Sequence, residues 1–296
     1  MNNTKGIALV QVLIITMIIT TLALFITQSI RQQVKLTVDV QVASELELQI
    51  ENAQSELFIA LLSEKAIRKE TKNPLTSKWN FHNKSFHIND NVEARIQGMN
   101  GLLSINMLDK TLTNRLLISL GYKEGAIREF IDSLKDWIDE DDLNRLNGAE
   151  RHFYQQVGKI GPRNGPIQSM HELELIRNGE YFDQSVWSKY FSLSYVRGFN
   201  PMLAPEKLLR AFLNNDDKAD AIIRLRDINE LTFLEFFKLT GIEGDENIVF
   251  ATGNKFRVEL RAYEDGRQVT KAFVVEINPL DVYKPITVKN IVWNKV

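Results

Sequence analysis

Cysteine is absent from this 296-residue chain, which excludes disulfide frameworks, thiolate nucleophiles and cysteine-bound zinc. A surplus of either charge is also missing. With 36 Lys and Arg against 38 Asp and Glu, the composition offers no polyelectrolyte attraction for nucleic acid. The chain has no Walker loop, no Gly-x-Gly-x-x-Gly and no Gly-x-Ser-x-Gly elbow, and its four histidines, His82, His87, His152 and His171, include no His-x-x-x-His pair. No enzymatic activity is expected. Glycine and proline are missing altogether between Ile7 and Asn73, so nothing local breaks a helix there.

What fills that stretch begins as KGIALVQVLIITMIITTLALFITQSIR, residues 5–31. From Ile7 to Ile26 its only polar members are Gln11, Thr16, Thr20 and Thr21, and a helix of that length reaches about 30 Å, one bilayer core. A secretory signal would have a shorter apolar region and a small-x-small cleavage site. The flanking cations, Lys5 on one side and Arg31 and Lys35 on the other, do not set an orientation. Further on, Ile30, Val34, Val38, Val42, Leu46 and Ile50 recur every four residues, followed by Ala53 and Leu57. Residues 34–42 also alternate in the manner of a strand, but the glycine- and proline-free context and the Glu, Gln, Leu and Ala beyond Ala43 favour helix. The expected element is one helix over residues 7–73, ended by Asn73-Pro74, with its membrane part at about 7–28 and an amphipathic second half.

Residues 75–91 are polar and expected to form a loop with short extended pieces. In VEARIQGMNGLLSINML (92–108) the alternation predicts two short strands. From Asp109 to about Gly244 the period changes to 3.6 residues. Helices are predicted around Leu112–Leu120, Ala126–Ile138, 169–178, 185–191, 205–213, 216–226 and 230–239, with Ser169 and Glu172 forming a capping box. Alternation returns after Asn254 in FRVELRAY, QVTKAFVVEI and ITVKNIVW, the first two joined by the turn Glu264-Asp265-Gly266-Arg267. The helical block is thus inserted into a small β unit. The aromatic groups Phe233, Phe236 and Phe237, and Trp187, Tyr190 and Phe191, are expected in cores.

Two constellations could carry chemistry. Asp136, Asp139, Glu140, Asp141 and Asp142, with Glu150 nearby, form the densest set of oxygen donors in the chain. Carboxylates at this density repel one another, and a hard cation such as calcium, which takes six to eight oxygens, would relieve the repulsion. Asp139–Glu150 has the length of an EF-hand loop, but Leu143 and Asn144 occupy positions where a ligand and a glycine are needed. The alternative is a helix end followed by a solvated acidic loop. The second constellation, residues 200–241, looks like a helix-hairpin-helix with Lys207, Arg210, Arg224 and Arg226 as phosphate contacts. Its turn, Asn214-Asn215-Asp216-Asp217, is acidic and lacks glycine, which favours a packing role over nucleic-acid binding.

A short leader ending in Lys5-Gly6, an uncharged helix opening Ile7-Ala8-Leu9 and an amphipathic continuation together resemble a type IV pilin or pseudopilin precursor. LLSINML (102–108), DWIDEDD (136–142), Gly148-Ala149-Glu150, Tyr154 and PRNGPIQSMHELELI (162–176) narrow the resemblance to the K-type minor pseudopilin of type II secretion, the general secretion pathway protein K family. The chain departs from that family at Phe199-Asn200-Pro201-Met202-Leu203-Ala204, where Ile-Asn-Val-Asn-Thr-Ala is usual. The resemblance implies an α+β fold: a long transmembrane and amphipathic helix, then a small pilin-like antiparallel β domain with a large all-helical insertion. The corresponding segments are a leader at 1–6, the helix at 7–73, β domain at 74–108, insert at 109–244 and returning strands at 245–296. It also implies cleavage by prepilin peptidase after Gly6 and N-methylation of Ile7.

Most relatives carry Glu at the fifth mature position, where it neutralises a neighbour's amino terminus; Gln11 here implies a subunit with nothing above it. By the same resemblance calcium would be held by Asp139, Asp141, Asp142 and Glu150. The partners would be the I-type and J-type minor pseudopilins and the inner-membrane secretion platform, and the location a single-pass anchor in the inner membrane with the C-terminal domain in the periplasm. Two rival readings are a minor pilin of a type IV pilus or competence system and a membrane-anchored periplasmic binding protein.

Overall fold

In a computed structural model of the chain, residues 4–64, 73–194, 198–264 and 266–295 are described, the side chains of 4–8 and 295 excepted. Helix α1 (Thr4–Ser63) is unbroken over 60 residues. Helix wins over the strand alternation at 34–42, where hydroxyls can turn back onto the helix backbone. Thr37, for example, donates to the Gln33 carbonyl. The helix ends at Ser63, and residues 65–72, which were expected to extend it, lie outside the described residues.

The four-residue stripe divides along its length. Ile30, Val34 and Val38 are exposed, whereas Leu46, Ile50, Ala53, Leu57 and Ala60 are almost fully buried. What buries them is a five-stranded antiparallel sheet made of β1 (His82–His87), β2 (Val92–Gly98), β5 (Lys255–Glu264), β6 (Arg267–Ile277) and β7 (Ile286–Lys295), in the order β1-β2-β5-β6-β7. Strict alternation puts Phe256, Val258, Leu260 and Ala262 of β5 on the face toward α1, with Val269, Phe273, Val275 and Ile277 of β6 beside them. The Phe58 ring meets Phe273 edge-on at 5.9 Å.

One core position of β6 holds a charge. Lys271 is 6% exposed at its side chain and donates to Glu51 Oε1 of α1 at 2.5 Å. Its Nζ also lies 4.8 Å from the centre of the Trp293 ring. A second ion pair, Asp39 with Arg267, joins the same two elements nearer the membrane half.

The chain between β2 and β5 folds around its own core. The helices are α2 (Lys110–Ser119), α3 (Glu124–Ile138), α4 (Arg151–Gln156), α5 (Gln184–Tyr190), α6 (Glu206–Leu213), α7 (Asp216–Asp227) and α8 (Phe233–Thr240). Phe130, Trp137, Trp187 and Phe191 lie at the centre of this second core, with Leu116, Leu208 and Phe236 around them. Several expectations need correcting. Of the second strand expected in 92–108 only β3 (Leu103–Ser104) forms, and it pairs in parallel with β4 (Phe191–Ser192) rather than joining the large sheet. The cause is the turn at Asn100-Gly101, which redirects the chain so that Leu103 and Ile105 enter the helical core while Met107 is exposed. The helix expected at 169–178 is a 3-10 turn, Met170–Leu175. Ser169 does accept from the His171 amide, but the Glu172 side chain is engaged elsewhere, so no capping box forms. Phe233 is 46% exposed, unlike fully buried Phe236.

Where the two halves meet, side-chain amides bind backbone carbonyls. Gln97 donates to the Leu203 carbonyl at 2.9 Å, and Asn100 and Asn200 both donate to the Ala251 carbonyl. Neighbouring residues then enter different cores, Met202 the helical one and Leu203 the sheet. Gly101 permits this approach, because a Cβ there would collide with the Leu203 backbone.

Replacing Glu51 with Ala leaves Lys271 charged and buried without its carboxylate. The expected loss is about 1–3 kcal/mol of stability, less than for a fully buried pair because Glu51 is half-exposed. Thermal unfolding of the full chain in detergent, followed by circular dichroism, measures it.

Candidate functional site

Helix α3 presents Ile127, Phe130, Ile131, Leu134 and Trp137 to the helical core, yet Asp132 and Asp136 occupy buried positions on the same helix. Asp132 accepts from Lys110 Nζ at 2.7 Å and from Asn147 Nδ2 at 2.9 Å, and these two donors outweigh burial and hold its carboxyl below the usual range. Asp136 has no exposure at all. It accepts from Arg145 Nη1 at 2.6 Å and from the Arg145 amide. The same Nη1 also donates to Asp139 Oδ2 at 2.5 Å. The loop thus folds back over the end of α3 and is stapled by one guanidinium. Gly148 lets it close, since a Cβ there would collide with Asp136 Oδ2.

Glu150 ends the loop and precedes α4. It is 2% exposed, and neither carboxylate oxygen has a hydrogen-bond partner. Asp139 Oδ1 is buried without a partner as well. Burial, together with the charges of Asp136, Asp139 and Asp142, pushes the Glu150 carboxyl up to about 7. Such orphaned buried oxygens are costly.

Behind the loop, Glu172 is tied four ways. It accepts from Arg163 Nε at 2.6 Å and Arg163 Nη2 at 3.0 Å, from Trp137 Nε1 at 2.9 Å and from the Gln168 amide. These bonds outweigh its burial and hold its carboxyl below the usual range. The Asn164 amide donates to the Trp137 carbonyl, so the 162–176 segment forms a rigid floor for the acidic loop.

The structure therefore brings Asp139, Asp142 and Glu150 into one electrostatic neighbourhood, with Asp136 at its centre. Asp141 turns away: it is exposed and its Oδ1 accepts from the Leu143 amide. Among the described residues, no three acidic or histidine side chains are gathered into a metal cage. The donor set nonetheless suits a hard cation, since the orphaned atoms are all carboxylate oxygens. Sequence reasoning missed Arg145, and it treated Asp136 as one acid among several. A signal was present in the four-residue spacing of Asp132 and Asp136 on an otherwise apolar face.

The other residues singled out in the sequence lie apart from this loop. Gly6 and Ile7 fall within α1, and Gln11 is exposed on it. In the hairpin of α6 and α7, Arg210 is paired with Glu206, Asp216 and Asp220. Arg226 is buried and donates to the Ala204 carbonyl at 2.6 Å. Two of the four proposed phosphate contacts are therefore committed to the fold.

An apolar helix of membrane length, an antiparallel sheet docked on its second half and a helical insert together make up the described fold. Residues 89–189 match the family model described as Type II secretion system (T2SS), protein K. The chain is 28% identical over 194 residues to the Type II secretion system protein K of Klebsiella pneumoniae, a match covering 59% of this chain and 58% of that protein. It is 26% identical over 250 residues to the putative type II secretion system protein K of Escherichia coli strain K12, covering 76% and 75% respectively. In fold it is similar to a chain in the crystal structure of the GspK-GspI-GspJ complex from enterotoxigenic Escherichia coli. The TM-score is 0.54 at 13% identity, with 89% of this chain and all of the other covered. The resemblance to protein K of type II secretion and the α+β fold expected from it are borne out.

Replacing Gly148 with Ala is expected to push Asp136 off its buried seat and cost about 1–3 kcal/mol. Thermal unfolding with chelator present reads this loss, which should exceed that of Ala at exposed Gly125, where an added Cβ meets nothing.

Proposed function

We propose that the chain is a non-enzymatic minor pseudopilin at the tip of the type II secretion pseudopilus, where it initiates or caps filament assembly for protein export across the outer membrane. The observation that carries this reading is the division of α1: large apolar side chains from Leu9 to Ile26 are all exposed, while the stripe from Leu46 onward is buried by the chain's own sheet. The first half needs another apolar surround. Lipid supplies it before assembly, and the helices of neighbouring subunits supply it afterwards.

Gln11 fits a terminal position. A carboxylate at that depth needs an opposite charge from a subunit above, and an amide does not. The helical insert is large, spanning α2 to α8, which suits a tip better than a shaft. The partners are then I-type and J-type minor pseudopilins, as in the complex named for the similar structure. Prepilin peptidase and the inner-membrane platform act on the anchored form. In this reading the anchor crosses the inner membrane once, with sheet and head in the periplasm.

Calcium belongs to the same proposal. Asp139 and Glu150 would hold it with their orphaned oxygens, with Asp142 contributing charge. Asp141 would join only by giving up its bond to the Leu143 amide. The ion would supply the missing positive charge and lock the loop onto α3. It has no catalytic part.

Mass spectrometry of the protein from its native host tests the processing step. The expected amino terminus is N-methylated Ile7, and in cells lacking the peptidase an intact Met1; an untrimmed chain in the presence of the peptidase refutes the pilin reading. Calcium at about a hundred times its dissociation constant should raise the melting temperature of the full chain by about 5 °C or more over chelator. No shift at millimolar calcium would remove the metal from the proposal.

A further inference from the structure

The acidic loop already contains a cation of its own. One nitrogen, Arg145 Nη1, reaches both Asp136 Oδ1 and Asp139 Oδ2. The two carboxylates are unequally held. Asp136 has no exposure and keeps a second donor in the Arg145 amide. The Asp139 side chain is 26% exposed and has no donor besides Arg145, its other oxygen being orphaned. The Arg145 side chain is itself 39% exposed. Beside them, both carboxylate oxygens of Glu150 are buried, and no side-chain donor pairs with them.

Building on the calcium reading above, we infer that Arg145 is the resident countercharge of the loop and competes with calcium for Asp139, so that binding the ion exchanges one cation for another. In the metal-free chain the guanidinium staples the loop to the end of α3. The ion takes Asp139 together with Glu150, and Arg145 withdraws from Asp139 while its amide keeps Asp136. The loop is closed in both states. Calcium affinity is therefore set lower than the carboxylates alone would give, because each binding event must break a charge-assisted hydrogen bond and bring a divalent ion near a fixed positive charge. A rise in calcium would tighten the loop without having to fold it.

The proposal separates two effects of one residue. Arg145→Gln should bind calcium about tenfold more tightly or better, the gain expected when a competing charged hydrogen bond is removed. The same variant should melt at a lower temperature than the wild type in chelator and at a similar temperature in saturating calcium. Arg145→Lys, which keeps the charge but loses the reach to two carboxylates, should fall between them.

Isothermal titration of the full chain in detergent with calcium chloride measures the affinities, and thermal unfolding measures the stabilities. A wild type that binds while Arg145→Gln binds equally or more weakly overturns the exchange and leaves the calcium reading intact. If the glutamine variant does not fold, the lysine variant decides: tighter binding supports the exchange, and unchanged or weaker binding overturns it. A wild type that fails to bind at millimolar calcium overturns both.

Discussion

The docking of α1 onto the antiparallel sheet is the contact from which the rest of the molecule follows. Leu46, Ile50, Ala53, Leu57 and Ala60 are covered by the inner faces of β5 and β6, and burial of that stripe at roughly 25 cal/mol per Å2 of apolar surface is the strongest driving force available to this half of the chain. The stripe continues N-terminally as Ile30, Val34 and Val38, which are exposed. One helix thus has a second half covered by the protein's own sheet and an apolar first half left uncovered. The Lys271–Glu51 pair, a charge set at a core position, fixes how α1 lies against β6, much as polar residues in coiled-coil cores fix register.

The head is attached to this frame through a narrow set of polar contacts. Gln97, Asn100 and Asn200 each donate to backbone carbonyls across the junction, and Met202 and Leu203 enter separate cores. Such amide-to-backbone bonds hold geometry well because buried carbonyls are expensive to leave unmet. The acidic loop itself is an electrostatic arrangement. Asp136 and Asp139 share one guanidinium, while burial and the charges of Asp136, Asp139 and Asp142 push the Glu150 carboxyl up to about 7. A group so placed ionises at neutral pH only with a loss of stability unless a cation arrives.

Much of the fold was legible from local pattern. The absence of glycine and proline over residues 7–73, with period four, identified α1. The alternation in FRVELRAY and QVTKAFVVEI identified β5 and β6, and most helices of the head were visible from 3.6-residue spacing with glycine breaks. The failures had tertiary causes. LLSINML alternates like a sheet strand, but the turn at Asn100-Gly101 sends it into the helical core, where only two residues find a parallel partner. Glu172 stands where a capping box would use it, but Arg163 and Trp137 offer it stronger bonds. Short α4 carries too few periodic residues to signal itself.

The sequence by itself determined the membrane-length helix, the mixed fold class and the family resemblance, because each rests on periodicity or on short motifs readable along the chain. It also located the acidic loop. Only the tertiary structure decided which acids matter there, since Arg145 reaches Asp136 and Asp139 across a fold in the backbone and Glu150 is orphaned by packing rather than by its neighbours in sequence. Charge balance is a property of positions in space, and a list of residues does not contain it.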